Sequence, residues 1–185
     1  ASPGNMPIST ISAPGTVSLT SGGTLTASGT VDVGTFNLIG GTWSQVFSTL
    51  PGFTATNFSI TGGTFKRALG GTGVSGDPYR LADIYGLQGM GSGGMLGNDY
   101  ARANDSSAAG TASWNSGAGF LPVATFTGTF DGLGHTITNL KINRPTTDNV
   151  GLFGDTGNSA KIRNVGLVDV NITGLNHVGG LVGYN

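Results

Sequence analysis

The side chains that could carry acid–base or metal chemistry in this sequence are nine aspartates and two histidines, with no glutamate and no cysteine. A glycosidase needs two carboxylates at a defined separation, about 5–9.5 Å, and no pair of these aspartates stands out by its spacing. His135 lies in a Gly-rich turn close to Asp131, so the two could form a general-base pair. No nucleophile or further ligand is spaced to join them, and the sequence favours a turn residue at His135.

The segment GNDYARAND contains Asn98, Asp99, Asn104 and Asp105, the densest group of candidate metal ligands. Calcium takes about six to eight oxygen ligands, and the calcium-binding nonapeptide G-G-x-G-x-D is absent. Asp99 and Asp105 are therefore weak candidates for a metal site, and turn-forming Asp and Asn side chains are the favoured interpretation. We expect no cofactor.

Charge and composition exclude several function classes. The formal net charge is −1 and no basic run occurs, which argues against binding of nucleic acid. No apolar stretch approaches the roughly 20 residues of a membrane-spanning helix, so we expect no membrane insertion. The arginines and aspartates are scattered along the sequence, which argues against an enzyme. A polysaccharide lyase or glycosidase stays open as the alternative function.

A repeat with a period of about 22 residues is the strongest pattern in the sequence, and periods of this size indicate solenoids or related arrays. FNLIGGTWSQ (36–45) returns as FSITGGTFKR (58–67), and we call this pair of segments the first repeat. Such a unit is too short to be a domain, and with 35 glycines and period-2 alternation it is typical of one coil of a β-solenoid. We predict an all-β fold, a right-handed parallel β-helix of about eight coils at about 4.8 Å each. Stacked residue pairs are then Phe36 with Phe58, Leu38 with Ile60, and Trp43 with Phe65.

Two further repeats occur downstream. ITNLKI (137–142) matches IRNVGL (162–167), which predicts that Asn139 stacks near Asn164. DNVGLFG (148–154) matches NHVGGLVGYN (176–185), and in this match His177 takes the position of Asn149. Their shared Gly-Leu-x-Gly motif consists of Gly151, Leu152 and Gly154 in the first copy and Gly180, Leu181 and Gly183 in the second.

The whole chain, 1–185, is predicted to be a single β-helix domain and a segment of a longer chain. Residues 1–67 are interpreted as short-stranded coils, 68–122 as an irregular loop-and-helix insertion, and 123–185 as coils again. A short amphipathic helix or a turn that covers the core is expected within 80–90, with Asp77-Pro78 before it as a start signal. The insertion also contains Tyr79, Tyr85, Tyr100 and Trp114. These aromatic residues either form a contact loop for glycans or proteins, or cover the core where coils are incomplete.

Several of these segments resemble a known family. GDPYRLADIYGLQGM, FTGTFDGLGHTITNLKINRPTTDNVGLFG and IRNVGLVDVNITGLNHVGGLVGYN resemble filamentous-haemagglutinin-like exoproteins of two-partner secretion systems with GLUG-type repeats. The resemblance covers about residues 34–185 and implies a right-handed β-helix, secretion, and an adhesive or filament-forming role at the bacterial surface. The Asn-Pro-Asn motif of that family's secretion domain is absent, so the chain resembles an interior segment.

The expected function is therefore structural and adhesive rather than enzymatic. We expect a secreted or cell-surface segment of a fibre, with end-to-end self-association and a glycan or other surface ligand as candidate partners. A stalk without any ligand is a further alternative.

Overall fold

The computed structural model describes residues 6–185, so the first five residues of the predicted short-stranded segment lie outside the described residues. Strands dominate, and the fold belongs to the all-β class. In chain order the strands are β1 (Met6–Ile8), β2 (Ile11–Ala27), β3 (Val31–Val46), β4 (Phe53–Ile60), β5 (Thr64–Ala68), β6 (Tyr79–Leu81), β7 (Tyr100–Arg102), β8 (Ser106–Ser107), β9 (Thr129–Asp131), β10 (Thr136–Thr138), β11 (Lys141–Asn143), β12 (Phe153–Asp155), β13 (Lys161–Arg163), β14 (Gly166–Val168), β15 (Asn171–Thr173) and β16 (Val182–Tyr184). One α-helix, α1 (Ile84–Gly89), and one 3₁₀ segment (Ala109–Gly117) complete the secondary structure of residues 6–185.

Every pairing between these strands is parallel. Parallel neighbours normally need a long crossover, usually helical. Here the crossover consists mainly of further strands and turns, as it does between the paired residues Phe36 and Phe58. Parallel sheets are therefore confirmed.

The first sheet has the order β1-β2-β3-β4, and β5 also pairs with β3. Its strands are rich in Thr, Val, Phe and Leu at alternating positions, which suits a pleated surface with one buried face. In β3 the inward side chains, such as Val31, Val33, Phe36 and Leu38, are at most 4% exposed, whereas Ile39 next to them is 47% exposed.

The Gly-Gly-Thr step of the first repeat has a backbone reason. The second glycine of each copy, Gly41 and Gly63, has a positive φ of 83° and 78°. A Cβ at Gly63 would lie 2.3 Å from the carbonyl oxygen of Gly41, and one at Gly41 would lie 2.5 Å from that of Ser21. Only glycine combines this conformation with so close an approach between neighbouring strands.

Residues 68–122 are more regular than their composition predicts. They contribute β6, β7 and β8, all paired in parallel with other strands, and also α1 and the 3₁₀ segment. The helix starts after Asp83, whose carboxylate accepts a hydrogen bond from the Gly86 N–H at 2.9 Å. The predicted start at Asp77-Pro78 is wrong, because the residues that directly follow Pro78 form strand β6.

The C-terminal half repeats a four-strand unit. Strands β9 to β12 pair with β13 to β16 in the same order. Hydrogen-bonded partners lie 32 residues apart at Asp131 and Arg163 and 29 residues apart at Thr156 and Asn185. The resulting sheets are β6-β7-β9-β13, β8-β10-β14, β11-β15 and β12-β16. The 3₁₀ segment packs against β4 and β11, so it covers the core between the two halves.

The core is continuous but opens at both of its edges. Phe130, Ile137, Ile142 and Phe153 are completely buried, whereas their register partners Ile162, Leu167, Ile172 and Val182 in β13 to β16 are only partly buried.

The same pattern occurs at the other edge. In β2, Leu25 and Ala27 are buried under β1, but Val17 and Leu19 are partly exposed. Apolar side chains at both edge strands are therefore left incompletely covered within residues 6–185.

Candidate functional site

The three predicted stacking pairs of the first repeat lie together. Trp43 and Phe65 are register partners with nearly parallel rings, 6.3 Å between centroids and 6° between planes. The rings of Phe36 and Phe58 are 5.5 Å apart and 13° from parallel. Leu38 pairs with Ile60.

The structure does not bring Asn139 and Asn164 together. Thr138 pairs with Val168, so the offset in this region exceeds the one that the sequence match implied. Asn164 instead donates through its side chain to Asp131 at 3.0 Å. Both asparagines have positive φ, 59° and 55°, and each stands at a corner between two strands. Asn139 lies at the corner between β10 and β11, whereas the Asn164 corner between β13 and β14 stacks on the corner between β9 and β10, so the sequence match joined two different corners.

The Gly-Leu-x-Gly motifs do lie over each other. The Leu152 N–H donates to the Gly180 carbonyl at 3.2 Å, and the Phe153 N–H donates to that of Leu181 at 2.9 Å. A Cβ at Gly183 would lie 2.6 Å from the backbone of Asn149 and Val150. The motif therefore serves close packing of β12 on β16.

The four aromatic residues of the predicted contact loop do not form an exposed surface. Tyr79, Tyr100 and Trp114 are at most 8% exposed, and Tyr85 is partly buried against the core. The Trp114 ring lies 4.9 Å from Phe58 and 5.2 Å from Tyr85. These rings cover the core, because apolar surface gains more from burial than from solvent exposure.

The candidate metal ligands are used within the fold. Asp99 accepts a hydrogen bond from the Thr129 N–H at 3.0 Å, and Asp105 accepts one from the Thr136 N–H at 2.8 Å. Each carboxylate thus links its own strand segment to the next segment in the stack. Within residues 6–185, no group of three or more acidic or histidine side chains is arranged to hold a metal ion.

The histidines have other partners than the sequence suggested. His135 Nδ1 lies 3.2 Å from Asp105, so the hypothesised pair with Asp131 is wrong. Asp131 instead accepts a hydrogen bond from Arg163 Nε at 2.7 Å. His177 Nδ1 lies 3.1 Å from the Asn149 side chain, its repeat counterpart.

Hydrogen bonds stabilise the ionised form of two carboxylates. The Leu133 N–H, followed by the Arg163 and Asn164 side chains, lowers the pKa of Asp131. The Thr136 N–H, followed by the His135 ring, lowers the pKa of Asp105.

The structure contains a buried arginine cluster that the sequence did not predict. Arg67 is 5% exposed and binds Asp83 through Nε at 2.7 Å, Gln45 through Nη1 at 2.7 Å and the Pro51 carbonyl through Nη2 at 2.9 Å. Gln45 and Arg67 are register partners 22 residues apart. The repeat offset that predicted the aromatic pairs could therefore have identified this pair too.

A second arginine, Arg102, is 1% exposed and points inward. Its Nη2 donates to Ser106 Oγ at 2.5 Å and to the Asn104 carbonyl at 3.1 Å, while Nε and Nη1 have no hydrogen-bond partner within residues 6–185. Burial lowers the pKa of this guanidinium to about 10.

A groove of about 500 Å³ lies on the outer face of the β6-β7-β9-β13 sheet. We call it the charged groove. It is lined by Arg80 on β6, Lys161 and Arg163 on β13, Asp131 on β9, Asp99, Ala101, Tyr100, Thr129, Leu133, and the loop residues Ser75, Gly76 and Pro78. Three of the eight basic residues of the sequence line this one groove, together with two carboxylates.

Comparison with known proteins shows a likeness to a very long relative. The chain is 38% identical over 123 residues to halomucin of Haloquadratum walsbyi, a match that covers 61% of this chain and 1% of halomucin. Halomucin is therefore about two orders of magnitude longer than the matched segment. No family model matches the chain, and no solved structure matches it.

None of the helices in residues 6–185 has the length and apolar character that crossing a bilayer requires.

Proposed function

We propose that this chain is a structural segment of a long secreted or cell-surface protein, and that it serves as a rigid support rather than as an enzyme. The observation that supports this is the side-chain register. Phe36 lies over Phe58, Trp43 over Phe65, and the four strands β9 to β12 over β13 to β16. Each repeat contacts chiefly its neighbours, so the same packing can be extended along a chain.

The finer architecture that we propose is a right-handed parallel β-helix. Parallel pairing between successive repeats, with mainly strands and turns in the crossovers, supports a coiled path. The right hand follows from the twist of the strands. Most backbone groups are then paired between coils, and rigidity needs neither disulfides nor many ion pairs.

The match to halomucin supports a place in a much longer protein, since the matched segment is about 1% of that relative. A secreted or surface location is proposed from that likeness. The assignment to two-partner-secretion adhesins with GLUG-type repeats stays a prediction from the sequence resemblance, and so does adhesion itself.

The incompletely covered edges fit a further coil of the same kind, which a neighbouring segment of a longer chain or a second copy of this chain can supply; the second case is end-to-end stacking. Leu167 in β14 and Val17 in β2 both belong to apolar rows that end at an edge strand. In a parallel stack the C-terminal edge of one copy meets the N-terminal edge of the next, which makes a head-to-tail contact that can repeat.

Sedimentation velocity over a range of concentrations tests this stacking. We expect the unmodified chain to associate increasingly with concentration. Val17→Lys and Leu167→Lys should each abolish association, because every contact needs one edge of each kind and a charge at an edge blocks it. A mixture of the two variants should give dimers and no larger species, since each variant keeps the edge that the other has lost.

The matched controls are Ser18→Lys and Val168→Lys, whose side chains are exposed on the same two strands. These controls should associate like the unmodified chain. A chain that stays monomeric at every concentration, or controls that dissociate equally, would remove end-to-end stacking from the proposal.

A further inference from the structure

We propose that the charged groove binds an acidic polysaccharide that carries carboxylates on its sugar rings. This inference rests on the proposed function, because such polymers are met outside the cell. The proposed binding surface differs from the predicted contact loop. The aromatic residues of that loop are buried or partly buried in the core, so they offer no surface to a ligand.

The cations of the groove are arranged for a polymer rather than for one small anion. Arg80 lies on β6 and Lys161 on β13, the two edge strands of the four-stranded sheet. Three strand spacings separate β6 from β13, about 14 Å at about 4.8 Å each, and Lys161 lies two residues along β13 from Arg163, which is in register with Arg80. Both side chains are exposed, and neither has an ion-pair partner within residues 6–185. A chain with repeated carboxylates can bind both at once.

The carboxylates of the groove select a ligand that also has hydroxyl groups. Asp131 lies between the two cations in register with Arg163, and Asp99 lies in the same groove. An ionised carboxylate has about four acceptor positions, and Asp99 uses one for the Thr129 N–H. Sugar hydroxyls can donate to the remaining positions. These carboxylates repel any anionic group, so the carboxylates of the ligand must lie at Arg80 and Lys161 rather than beside Asp99 or Asp131.

The lining of the groove also includes small and apolar residues that a sugar ring can contact. Its floor includes the small residue Ala101, in register with Arg80 and Asp131. Leu133 at the rim is 59% exposed and offers an apolar surface to the C–H face of a ring. The exposed loop residues Ser75 and Gly76 line the groove as well.

Titration calorimetry with a short oligouronate of defined length tests the proposal. The chelator EDTA is included, so that bound calcium cannot bridge the two partners. We expect binding that weakens as ionic strength rises. The methyl ester of the same oligouronate and the matching neutral oligosaccharide should bind at least fivefold more weakly, because each keeps the hydroxyl groups but lacks the charge. Equal binding of the methyl ester would overturn the proposal.

The double variant Arg80→Gln with Lys161→Gln tests whether the oligouronate binds at the charged groove. Loss of two exposed ion pairs should weaken binding about fivefold or more. Lys66→Gln combined with Lys141→Gln removes the same charge outside the groove and should bind like the unmodified chain. Equal weakening in both double variants would overturn the proposal, as would tighter binding of poly-glutamate, which would indicate an acidic protein partner.

The same variants are measured by sedimentation. Loss of oligouronate binding without loss of end-to-end association means that only the groove has been disabled. Association that fails in the unmodified chain while the oligouronate still binds at the groove would overturn the stacking proposal and leave this one standing.

Discussion

At the scale of single residues, the stacked rings of Trp43 and Phe65 link two consecutive repeats. Both side chains are fully buried, and Phe65 also lies 5.1 Å from Phe58 in an edge-to-face arrangement. Aromatic pairs of this kind add to the free energy gained by burial alone.

Phe65→Ala should therefore lower the free energy of unfolding by about 3–5 kcal/mol, because the cavity lies inside a close-packed core. Ile39→Ala, in the same sheet but 47% exposed, should change it by less than about 0.5 kcal/mol. Urea denaturation followed by tryptophan fluorescence and circular dichroism measures both. Similar losses in the two variants would contradict the stacked-core interpretation.

Residue spacing predicted these pairs because the first repeat has one constant offset. Asn37 and its partner Ser59 are 22 residues apart, and so are Gln45 and Arg67. The sequence did not predict that the second pair is polar and buried. Asn139 and Asn164 were mispaired because the later repeats are longer, with 32 residues between Asp131 and Arg163. Similar corners also recur within one repeat. Burial of Tyr100 and Trp114 follows from tertiary packing, which no local pattern encodes.

At the scale of elements, the short helix α1 depends on its cap. An isolated helix of so few residues is unstable in water. Asp83 accepts a hydrogen bond from the Gly86 N–H through Oδ1 and binds Arg67 through Oδ2, so one carboxylate fixes both the helix start and a buried cation.

Asp83→Ala should lower the free energy of unfolding by about 1 kcal/mol for the cap, plus the cost of leaving the Arg67 guanidinium without its anion. Asp83→Asn keeps an oxygen for the cap, but its amide NH2 group replaces the oxygen that accepts from Arg67 Nε. It therefore loses the ion pair and keeps the cap, so its loss should be smaller. Thermal and urea unfolding of the two variants give the difference. If Asp83→Asn is as damaging as Asp83→Ala, the cap contributes nothing.

The elements of residues 68–122 were the hardest to predict. Strands β6, β7 and β8 are very short, too short for alternation to be recognised. They become strands because neighbouring parallel strands supply their hydrogen-bond partners. The apolar residues Ile84 and Leu87 indicated a helix or a turn, and the structure has a helix there.

At the scale of the whole molecule, aspartates connect one repeat to the next. Asp105 accepts from the Thr136 N–H, 31 residues further along the chain, and Asp131 accepts from the Arg163 and Asn164 side chains, 32 and 33 residues further along. Because these bonds favour the ionised form, both folded-state pKa values lie below the unfolded value of about 3.9.

These two carboxylates should therefore contribute their full stabilisation above about pH 5. That contribution should be lost as the pH falls below about 4 and passes through their folded-state pKa values. In the double variant Asp105→Asn with Asp131→Asn, the loss on acidification should be less steep, although stability at neutral pH is lower. Urea midpoints measured from neutral to acidic pH test this. An acid limb that is equally steep in the variant would contradict it.

The constant offset between β3 and its partners β4 and β5 has a consequence for how such a chain changes length. Inserting one residue inside β4 turns every later side chain of that strand to the opposite face. If one complete repeat is added or removed, strand β4 (Phe53–Ile60) still pairs with an equivalent strand, and the apolar face of β4 still points to the core. Duplication of the coding segment for one repeat is thus a neutral route to a longer protein, and natural variants should differ by complete repeats.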